Sequence, residues 1–401
     1  MQNRIIAILI IFLLMEIYIY QAFRTLYSGS FAKFAYWIST ILVYAFLIYS
    51  VAVFDRKSHS YLKIQLVFSI ILIFVFPKIL TAVFLLIEDF FRLLNFGYQS
   101  ITTENHHYPS RRKFISLVGL GSAGILAVMF LDGIIFGKYR YKVRIVKLKF
   151  GNLPKSFQGY KIVQISDVHS GSFQNPKKLQ KAVDLINRQN ADLVLFTGDM
   201  VNNYADEFVP FIDLFQEIKS KDGKFSVLGN HDYGGYGEWK SEEEKKMNIL
   251  HLIEYEKQAG FEMLRNEFRM IEKNGEKIYI LGVENWGLPP FPQFGDLDKA
   301  SQNIPKDALK ILMSHDPSHF DAVVKNHPSN IQLTLSGHTH GMQFGIDLKN
   351  YKWSPVEYKY PKWADLYQSE GKFLYVNRGF GVIGYPGRVG IFPEITVFEL
   401  R

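Results

Sequence analysis

The chain contains no cysteine among its 401 residues. This absence excludes a disulfide framework, a thiol nucleophile and a cysteine-ligated zinc site. It does not identify the redox compartment, since proteins of every compartment can lack cysteine. The sequence also has no internal repeats and no low-complexity segment.

Clustered positive charge is lacking as well, although the formal net charge is +8 at pH 7. Lysines and arginines are spread along the chain, and no single element combines them with aromatic side chains in the way a nucleic-acid-binding surface does. We therefore expect no nucleic-acid partner. The basicity is interpreted as facing a membrane.

Apolar residues make up 48% of the chain and are concentrated in its first third. Four apolar runs approach the length that a bilayer requires, which predicts a transmembrane region over residues 1–137. The predicted helices are at 5–23, 34–54, 64–87 and 114–136. Pro77 and Lys78 near the middle of the third run predict a kinked helix whose lysine faces a neighbouring helix or reaches the membrane surface.

A basic cluster, Ser110-Arg111-Arg112-Lys113, stands just before the fourth run and is similar to a twin-arginine export signal. An equally good interpretation is a basic flank on the cytoplasmic side of a membrane helix. Both interpretations place the cluster in the cytoplasm, so the fourth helix would carry the following domain outward. We thus expect a multi-pass protein of the cell membrane whose C-terminal domain is extracytoplasmic. Counting other basic residues, such as Arg56 and Lys57, does not settle the orientation.

Residues 138–401 alternate short apolar strands with amphipathic segments, which is typical of an α/β domain. The dipeptide Asn274-Gly275 predicts a hairpin turn between two of these strands. Residues 344–367 are rich in aromatic and basic side chains and too irregular for a helix. This segment is interpreted as a lid or as a membrane-facing loop.

Polar residues with metal-ligand chemistry follow five of the predicted strands. They are Asp167-Val168-His169, Gly198-Asp199, Gly229-Asn230-His231-Asp232, Ser314-His315-Asp316 and Gly337-His338-Thr339-His340. Any one of these groups alone would be an ordinary turn or a hydrogen-bonded surface residue. Because functional side chains collect at the carboxyl ends of strands in α/β sheets, the five together predict a site for two metal ions.

These motifs resemble the signature of calcineurin-like metallophosphoesterases, and the residues around Ser314 and Asn377 are similar to the YkuE-like, membrane-associated branch. The resemblance covers residues 147 to 401. It implies a four-layer α/β/β/α sandwich of two mixed sheets, which with the preceding region gives a metallophosphoesterase domain over 138–401. One departure is Met342, which stands where the branch commonly has a second glycine, and a methionine adopts a glycine-only conformation at a cost.

The resemblance also implies a set of metal ligands. One divalent ion would be bound by Asp167, His169 and His340, the other by Asn230, His315 and His338, and Asp199 would bridge the two. Such ligands admit Mn, Fe or Zn, so the sequence does not identify the metals. Two ions of this kind can activate water to hydroxide and hold a phosphoryl group for in-line attack.

Four further residues complete the expected site. His231 would protonate the leaving oxygen, with a third-site ligand or a packing residue as the alternative. Asp232 would orient the His231 imidazole, as carboxylates do for functional histidines. Arg378 and Arg388 would bind a second phosphate of the substrate, or else be solvated loop residues.

The sequence therefore predicts a membrane-anchored phosphohydrolase that acts on a phosphoester or a diphosphate. Its substrate would be a phosphorylated small molecule or a phospholipid-like compound, for example a lipid-linked sugar nucleotide of the UDP-diacylglucosamine type. The oligomeric state stays undetermined. The alternative is a non-catalytic membrane receptor or scaffold with a structural metal site, although such a site needs neither an open water position nor a nearby acid.

Overall fold

The computed structural model describes residues 2–53, 61–99 and 109–401. The chain divides into a helical unit, Met1–Asp55 with Leu62–Asp132, and a second unit, Gly133–Arg401 with Arg56–Tyr61. Arg56 and Lys57, which entered the prediction of membrane orientation, lie outside the described residues.

Long helices form the first part of the chain. They are α1 (Gln2–Leu26), α2 (Ser30–Ala52), α3 (Tyr61–Ile70), α4 (Phe76–Gln99) and α5 (Pro109–Ile135). Three stretches of the described residues are long and apolar enough to cross a membrane, namely Ser30–Ser50, Tyr61–Tyr98 and Ser110–Tyr139. They overlap the second, third and fourth predicted runs, whereas the first predicted run lies within the 25-residue helix α1.

The irregularity predicted near Pro77 is a π-helical turn, Ile71–Val75, between α3 and α4. Lys78 follows it and lies 2.9 Å from the Glu16 carboxylate of α1. The hydroxyls of Tyr36 and Tyr44 donate hydrogen bonds to the same carboxylate. An ionised group between apolar helices is costly unless it is paired, so this cluster joins α1, α2 and α4. The prediction that Lys78 faces a neighbouring helix is confirmed.

Fourteen strands follow in the second unit. They are β1 (Lys142–Leu148), β2 (Lys161–Ile165), β3 (Leu193–Phe196), β4 (Lys224–Ser226), β5 (Glu262–Met263), β6 (Glu267–Lys273), β7 (Glu276–Gly282), β8 (Leu309–Met313), β9 (Leu333–Ser336), β10 (Ile346–Asp347), β11 (Lys352–Trp353), β12 (Asp365–Ser369), β13 (Lys372–Val376) and β14 (Glu394–Leu400). The helices among them are α6 (Gln180–Asn187), α7 (Ile212–Gln216), α8 (Glu242–Gln258), α9 (Leu297–Ser301) and α10 (Ser318–Ala322). Asn274-Gly275 forms the predicted turn between β6 and β7.

Twelve strands build two six-stranded sheets, and β10 pairs with β11 in a separate two-stranded ribbon. The first sheet has the order β1-β14-β2-β3-β4-β5 and the second has the order β12-β13-β9-β8-β7-β6. Both sheets are mixed. In the first, β14 is antiparallel to β2 while β2, β3, β4 and β5 are parallel. In the second, β7, β8, β9 and β13 are parallel and the edge strands β6 and β12 are antiparallel to their neighbours.

The two sheets pack face to face through one set of their alternating side chains. Ile162 and Leu195 of the first sheet lie in the same buried cluster as Ile280 and Leu333 of the second. Side chains alternate between the two faces of a strand, so the neighbouring residues point away from this core. Burying each aliphatic side chain contributes about 1.5–3 kcal/mol before the entropy of ordering is counted.

The outward faces of the sheets are covered by helices. Val194 of β3 belongs to a buried cluster with Val183 of α6, and Leu312 of β8 to another with Phe320 of α10. The layers therefore run helices, sheet, sheet, helices. This arrangement confirms the predicted α/β/β/α sandwich.

Candidate metal centre

The predicted ligands all follow strands of the two packed sheets. Asp167 and His169 come after β2, Asp199 after β3 and Asn230 after β4, while His315 follows β8 and both His338 and His340 follow β9. In each sheet the strands concerned are parallel neighbours, so their carboxyl ends meet at one edge. The two edges together hold the seven side chains.

Five of these seven residues adopt left-handed backbone conformations. Their φ angles are 55° for Asp167, 48° for His169, 60° for Asp199, 70° for His338 and 51° for His340. A positive φ in a residue with a Cβ costs roughly 1 kcal/mol or more and persists where the surrounding structure enforces it. Backbone strain is therefore concentrated at the predicted ligands. Met342, the departure from the family's second glycine, adopts a φ of 50°.

Two glycines allow the strand ends to approach this closely. A Cβ on Gly337 would collide with Ser166 Oγ and Asp167 Oδ2, and a Cβ on Gly229 would collide with Asp199 Oδ1. The glycines in the Gly-His and Gly-Asn-His motifs thus make room for the carboxylates of neighbouring strands.

The first predicted ligand group converges. Asp167, His169 and His340 offer ligand atoms that lie within 4.8 Å of one another. His340 Nε2 is 3.3 Å from Asp167 Oδ1, and the ring centroids of His169 and His340 are 4.8 Å apart. All three side chains are buried.

The second group converges beside it. Asp199, His315 and His338 offer ligand atoms within 4.8 Å of one another. Asn230 joins them, because its Oδ1 lies 2.9 Å from His338 Nδ1. The structure thus brings all seven predicted ligands together in two adjacent groups.

Asp199 lies at the junction of the two groups. Its Oδ2 is 3.6 Å from His169 Nε2 and 3.1 Å from His315 Nε2. A carboxylate in this position reaches imidazoles of both groups, as the predicted bridge requires.

Two ring nitrogens have the chemistry of unfilled metal ligands. His315 Nε2 and His340 Nε2 are buried and form no well-aligned hydrogen bond with a described residue, and they face the carboxylates of Asp199 and Asp167 at 3.1 and 3.3 Å. Buried polar atoms normally find a partner, since leaving one unsatisfied costs about 1–3 kcal/mol. His315 Nδ1 lies 2.7 Å from the Thr197 carbonyl oxygen, which fixes the ring with Nε2 toward Asp199. The donor set therefore fits a pair of divalent cations.

The electrostatics of the cluster are dominated by its two buried carboxylates. Burial opposes ionisation of Asp167, but the neighbouring His340 imidazole outweighs it and lowers the Asp167 pKa to about 2. Burial likewise opposes ionisation of Asp199, and His315 with His231 still holds the Asp199 pKa well below its usual range. Burial opposes protonation of His315, but the charge of Asp199 and its hydrogen bond outweigh it and raise the His315 pKa to about 10. Fixed negative charge at the centre favours cation binding.

His231 stands next to the first group. Its Nδ1 lies 2.8 Å from the Asn202 carbonyl oxygen, and its ring packs against Tyr236 and edge-on to His169, with centroid distances of 4.5 and 4.9 Å. Burial lowers the His231 pKa although the Asp199 charge opposes the shift. The carbonyl contact assigns the Nδ1 proton and leaves Nε2 for exchange with a bound molecule.

Asp232 does not orient His231, so that prediction is wrong. Its carboxylate accepts hydrogen bonds from the backbone N–H groups of Gly229, Asp199 and Met200, each at 2.8 Å. Asp232 therefore holds the loop that carries Asp199, and the Asn202 carbonyl takes the orienting role. Burial and the nearby Asp199 charge raise the Asp232 pKa to about 7.

Arg378 and Arg388 are neither substrate-facing nor solvated. The Arg378 side chain is fully buried and lies 2.7 Å from both Asp365 and Glu394. Arg388 is also buried and donates to backbone carbonyl oxygens, among them those of Gly381 and Arg378. Their donors are used inside the protein, which corrects the prediction of a second phosphate site.

Two tyrosines that sequence reasoning did not assign to the site contact the second group. The Tyr360 oxygen lies 2.8 Å from His338 Nε2 and its hydroxyl donates to Asp316 Oδ2 at 3.4 Å. Asn230 Nδ2 donates to the Tyr236 hydroxyl at 3.0 Å. Tyr360 belongs to the aromatic and basic segment singled out above, whereas no pattern in the sequence distinguishes Tyr236.

Comparison with known proteins agrees with this geometry. The calcineurin-like phosphoesterase family matches residues 160–342, and a family described as the probable transmembrane domain of calcineurin-like phosphoesterases matches residues 2–138. The chain is 31% identical over 302 residues to the uncharacterized metallophosphoesterase YkuE of Bacillus subtilis, a match that covers 73% of this chain and 98% of YkuE. The chain therefore belongs to the calcineurin-like phosphoesterases, which are metal-dependent enzymes, and it carries a transmembrane domain.

More distant matches include the same combination of domains. A transmembrane protein with metallophosphoesterase domain from Danio rerio is 28% identical over 285 residues, which are 69% of this chain and 61% of that protein. Among solved structures, the sulfate thiohydrolase SoxB of Thermus thermophilus in complex with glycerol matches 62% of this chain and 57% of its own, at 13% identity and a TM-score of 0.37. That structural similarity is too low to bear on function.

Proposed function

We propose that this protein is a membrane-anchored, two-metal phosphohydrolase that cleaves a phosphoester or a diphosphate. The observation that supports this most directly is the position of Asp199, whose Oδ2 lies within 3.6 Å of an imidazole of each ligand group. A single structural metal ion would need only one of these groups.

Seven residues would hold the metals. Asp167, His169 and His340 would bind one ion, Asn230, His315 and His338 the other, and Asp199 both. Mn, Fe and Zn are all compatible with these ligands. Two such ions, when bound, would supply Lewis acidity and an activated water for attack on phosphorus.

The remaining steps belong to side chains. We assign to the protonated form of His231 the transfer of its Nε2 proton to the leaving oxygen, which leaves a neutral imidazole whose Nδ1–H stays on the Asn202 carbonyl. Protonation of the leaving group matters most for substrates with poor leaving groups, such as alkyl phosphates. Asp232 does not take part in proton transfer. Its carboxylate fixes the backbone of Asp199 and thereby positions the Asp199 side chain.

The substrate is proposed to be phospholipid-like, with a lipid-linked sugar nucleotide diphosphate as one candidate. Two aromatic residues beside the second ligand group support a partly apolar substrate. The Phe291 ring lies 4.7 Å from the His338 ring, and the Tyr360 ring lies 5.2 Å from it. Turnover of water-soluble esters and lipid diphosphates by the full chain in detergent would distinguish the classes, and equal rates would remove the reason to invoke lipid.

The basic cluster at the start of α5 supports an extracytoplasmic position of the catalytic domain. A membrane-impermeant thiol reagent applied to intact cells would test this with a Lys277→Cys variant, because the native chain has no cysteine. Labelling only after cell lysis would place the domain in the cytoplasm.

The central test of the mechanism is His231→Ala in the metal-loaded enzyme. We expect kcat to fall by about 10²–10⁴-fold on an alkyl phosphate, the usual contribution of a general acid, and to fall less on a p-nitrophenyl ester, whose leaving group needs no proton. The matched control is His251→Ala, which replaces an exposed histidine of α8. Unchanged hydrolysis by His231→Ala with both metals retained would remove the assigned acid role, and absence of hydrolysis in the loaded parent protein would favour a scaffold.

A further inference from the structure

The β10–β11 ribbon has two chemically distinct faces. Ile346 pairs with Trp353 and Asp347 with Lys352, and the Leu348 N–H donates to the Tyr351 carbonyl at 2.9 Å, which continues the pairing toward the turn. Side chains alternate along a strand and cross-strand partners share a face. Asp347 and Lys352 therefore occupy one face. The other face carries the following four apolar or aromatic residues: Ile346, Leu348, Tyr351 and Trp353.

The polar face is tied to the protein. Asp347 forms ion pairs with Arg144 and with the fully buried Arg378. Lys352 Nζ donates to the Ala364 carbonyl at 2.6 Å and lies 3.0 Å from the Asp365 carboxylate. These contacts fix which face of the ribbon points inward.

Three of the four residues on the apolar face are exposed, and Trp353 is half-buried. Leu348 is 66% exposed, Tyr351 is 58% exposed and Ile346 is 42% exposed. Tyr358, in the same segment, is 81% exposed. A ribbon of a soluble domain normally turns its apolar face to the core, and a contiguous exposed apolar face marks a surface that binds something else.

The charges of this segment indicate what covers the face. Lys349 at the ribbon turn and Lys359 beside Tyr358 are exposed, and Glu357 is half-buried. The acidic Asp347 and Asp365 are engaged by Arg378. Exposed aliphatic side chains with tyrosines and lysines around them are the chemistry of a surface that meets lipid headgroups, particularly anionic ones. The chain also has helices long enough to span a bilayer, so its second unit is tethered to one.

We propose that the β10–β11 ribbon, together with Tyr358, is a membrane-contact surface that inserts its apolar side chains at the interface of an anionic bilayer. This assignment goes beyond the proposed function and does not depend on it, because it concerns binding to lipid and not catalysis. Tyr360, two residues after Tyr358, contacts His338 of the second ligand group. The proposed surface and the metal centre are therefore linked by a short segment of chain.

The chain has no cysteine, so a single introduced cysteine gives one labelling site. We would label Leu348→Cys with a polarity-sensitive fluorophore in the full chain, reconstituted as one copy per nanodisc of phosphatidylcholine with phosphatidylglycerol. The matched control is Met270→Cys, since Met270 is also an exposed apolar residue, 43% exposed, on the edge strand β6 of the second sheet.

We expect a blue-shifted emission from the label at residue 348 and loss of most of it when the nanodiscs contain nitroxide-bearing lipid, with no comparable loss at residue 270. Replacing phosphatidylglycerol by phosphatidylcholine should weaken the quenching at residue 348. The double variant Lys349→Glu with Lys359→Glu should remove the dependence of this quenching on anionic lipid.

Equal quenching at residues 348 and 270 would overturn the proposal. A blue shift without lipid quenching would also overturn it, because the label would then be buried against another part of the chain. So would a blue shift that appears only in nanodiscs loaded with two copies, because that result assigns the surface to a second copy of the chain.

Discussion

At the scale of single residues, the second ligand group depends on a chain of hydrogen bonds that starts outside it. His338 Nδ1 faces Asn230 Oδ1, and its Nε2 faces the Tyr360 hydroxyl, which donates to Asp316. A ring held at Nε2 presents Nδ1 to a cation in a single tautomer and orientation. Tyr360 is thus a positioning residue for the metal centre.

Removing this hydroxyl should weaken metal binding without changing the ligands. We predict that Tyr360→Phe lowers the affinity for one of two Mn²⁺ ions by about 10-fold, the low end of the effect of such supporting contacts, and leaves the other ion unaffected. Titration calorimetry of the full chain measures both affinities. Tyr358→Phe, which changes an exposed neighbour, is the control, and equal metal affinities in the two variants would contradict the assignment.

The convergence of the ligands could be predicted from sequence because each follows an apolar strand, and the carboxyl ends of neighbouring parallel strands must meet. The partners of Asp232 could not be predicted in the same way. A carboxylate adjacent to a functional histidine can bind its imidazole or backbone N–H groups, and only the path of the loop after β3 decides between them. The burial of Arg378 could not be predicted either, as a phosphate-binding residue or as a solvated one, because the acids that surround it, Asp347, Asp365 and Glu394, are distant in sequence.

At the scale of secondary-structure elements, a buried charge network joins the ribbon and three strands of the sandwich. Arg378, after β13, contacts Asp347 of β10, Asp365 of β12 and Glu394 of β14. Arg144 of β1 adds a second cation to the same acids. The network holds residues 344–367, which include both the ribbon and Tyr360, against the sheets.

Breaking this network should be costly. We predict that Arg378→Met lowers the free energy of unfolding by about 3–5 kcal/mol, since it removes the fully buried cation of the network and leaves the part-exposed Arg144 as the remaining cation beside Asp347 and Glu394. Chemical denaturation in detergent would measure the loss. Arg269→Met is the matched control, because Arg269 makes only partly exposed ion pairs and should lose about 1 kcal/mol or less.

The same variant has a defined pH dependence. Burial opposes ionisation of Asp365, but hydrogen bonds and the charge of Arg378 outweigh it and hold its pKa well below the usual value. A depressed carboxyl pKa contributes stability above the unfolded-state pKa of about 3.9, and this contribution is lost as the pH falls toward the folded-state pKa. The difference in stability between Arg378→Met and the parent should therefore be constant near neutral pH and shrink below about pH 4. A constant difference down to pH 3 would show that the network is not ionic.

At the scale of the whole molecule, the protein combines a transmembrane unit with a metallophosphoesterase sandwich. Periodicity and apolar runs predicted this organisation, because both the bilayer length and the strand-helix alternation leave a direct pattern in the sequence. The ribbon is different. Each of its two strands has only two residues, which is too short for a recognisable sequence pattern. Its polar face points inward because of ion pairs with residues that are distant in sequence.

The account depends most on two cations sharing the Asp199 carboxylate. The most direct measurement is the metal content of the full chain after loading with Mn²⁺ and removal of free ion, determined by elemental analysis for the parent and for Asp199→Asn. We predict two ions per parent chain and the loss of at least one in the variant, because an amide offers a single neutral oxygen where the carboxylate offers two charged ones. A parent that retains one ion or none, or a variant that retains two with unchanged affinity, would contradict the proposed centre.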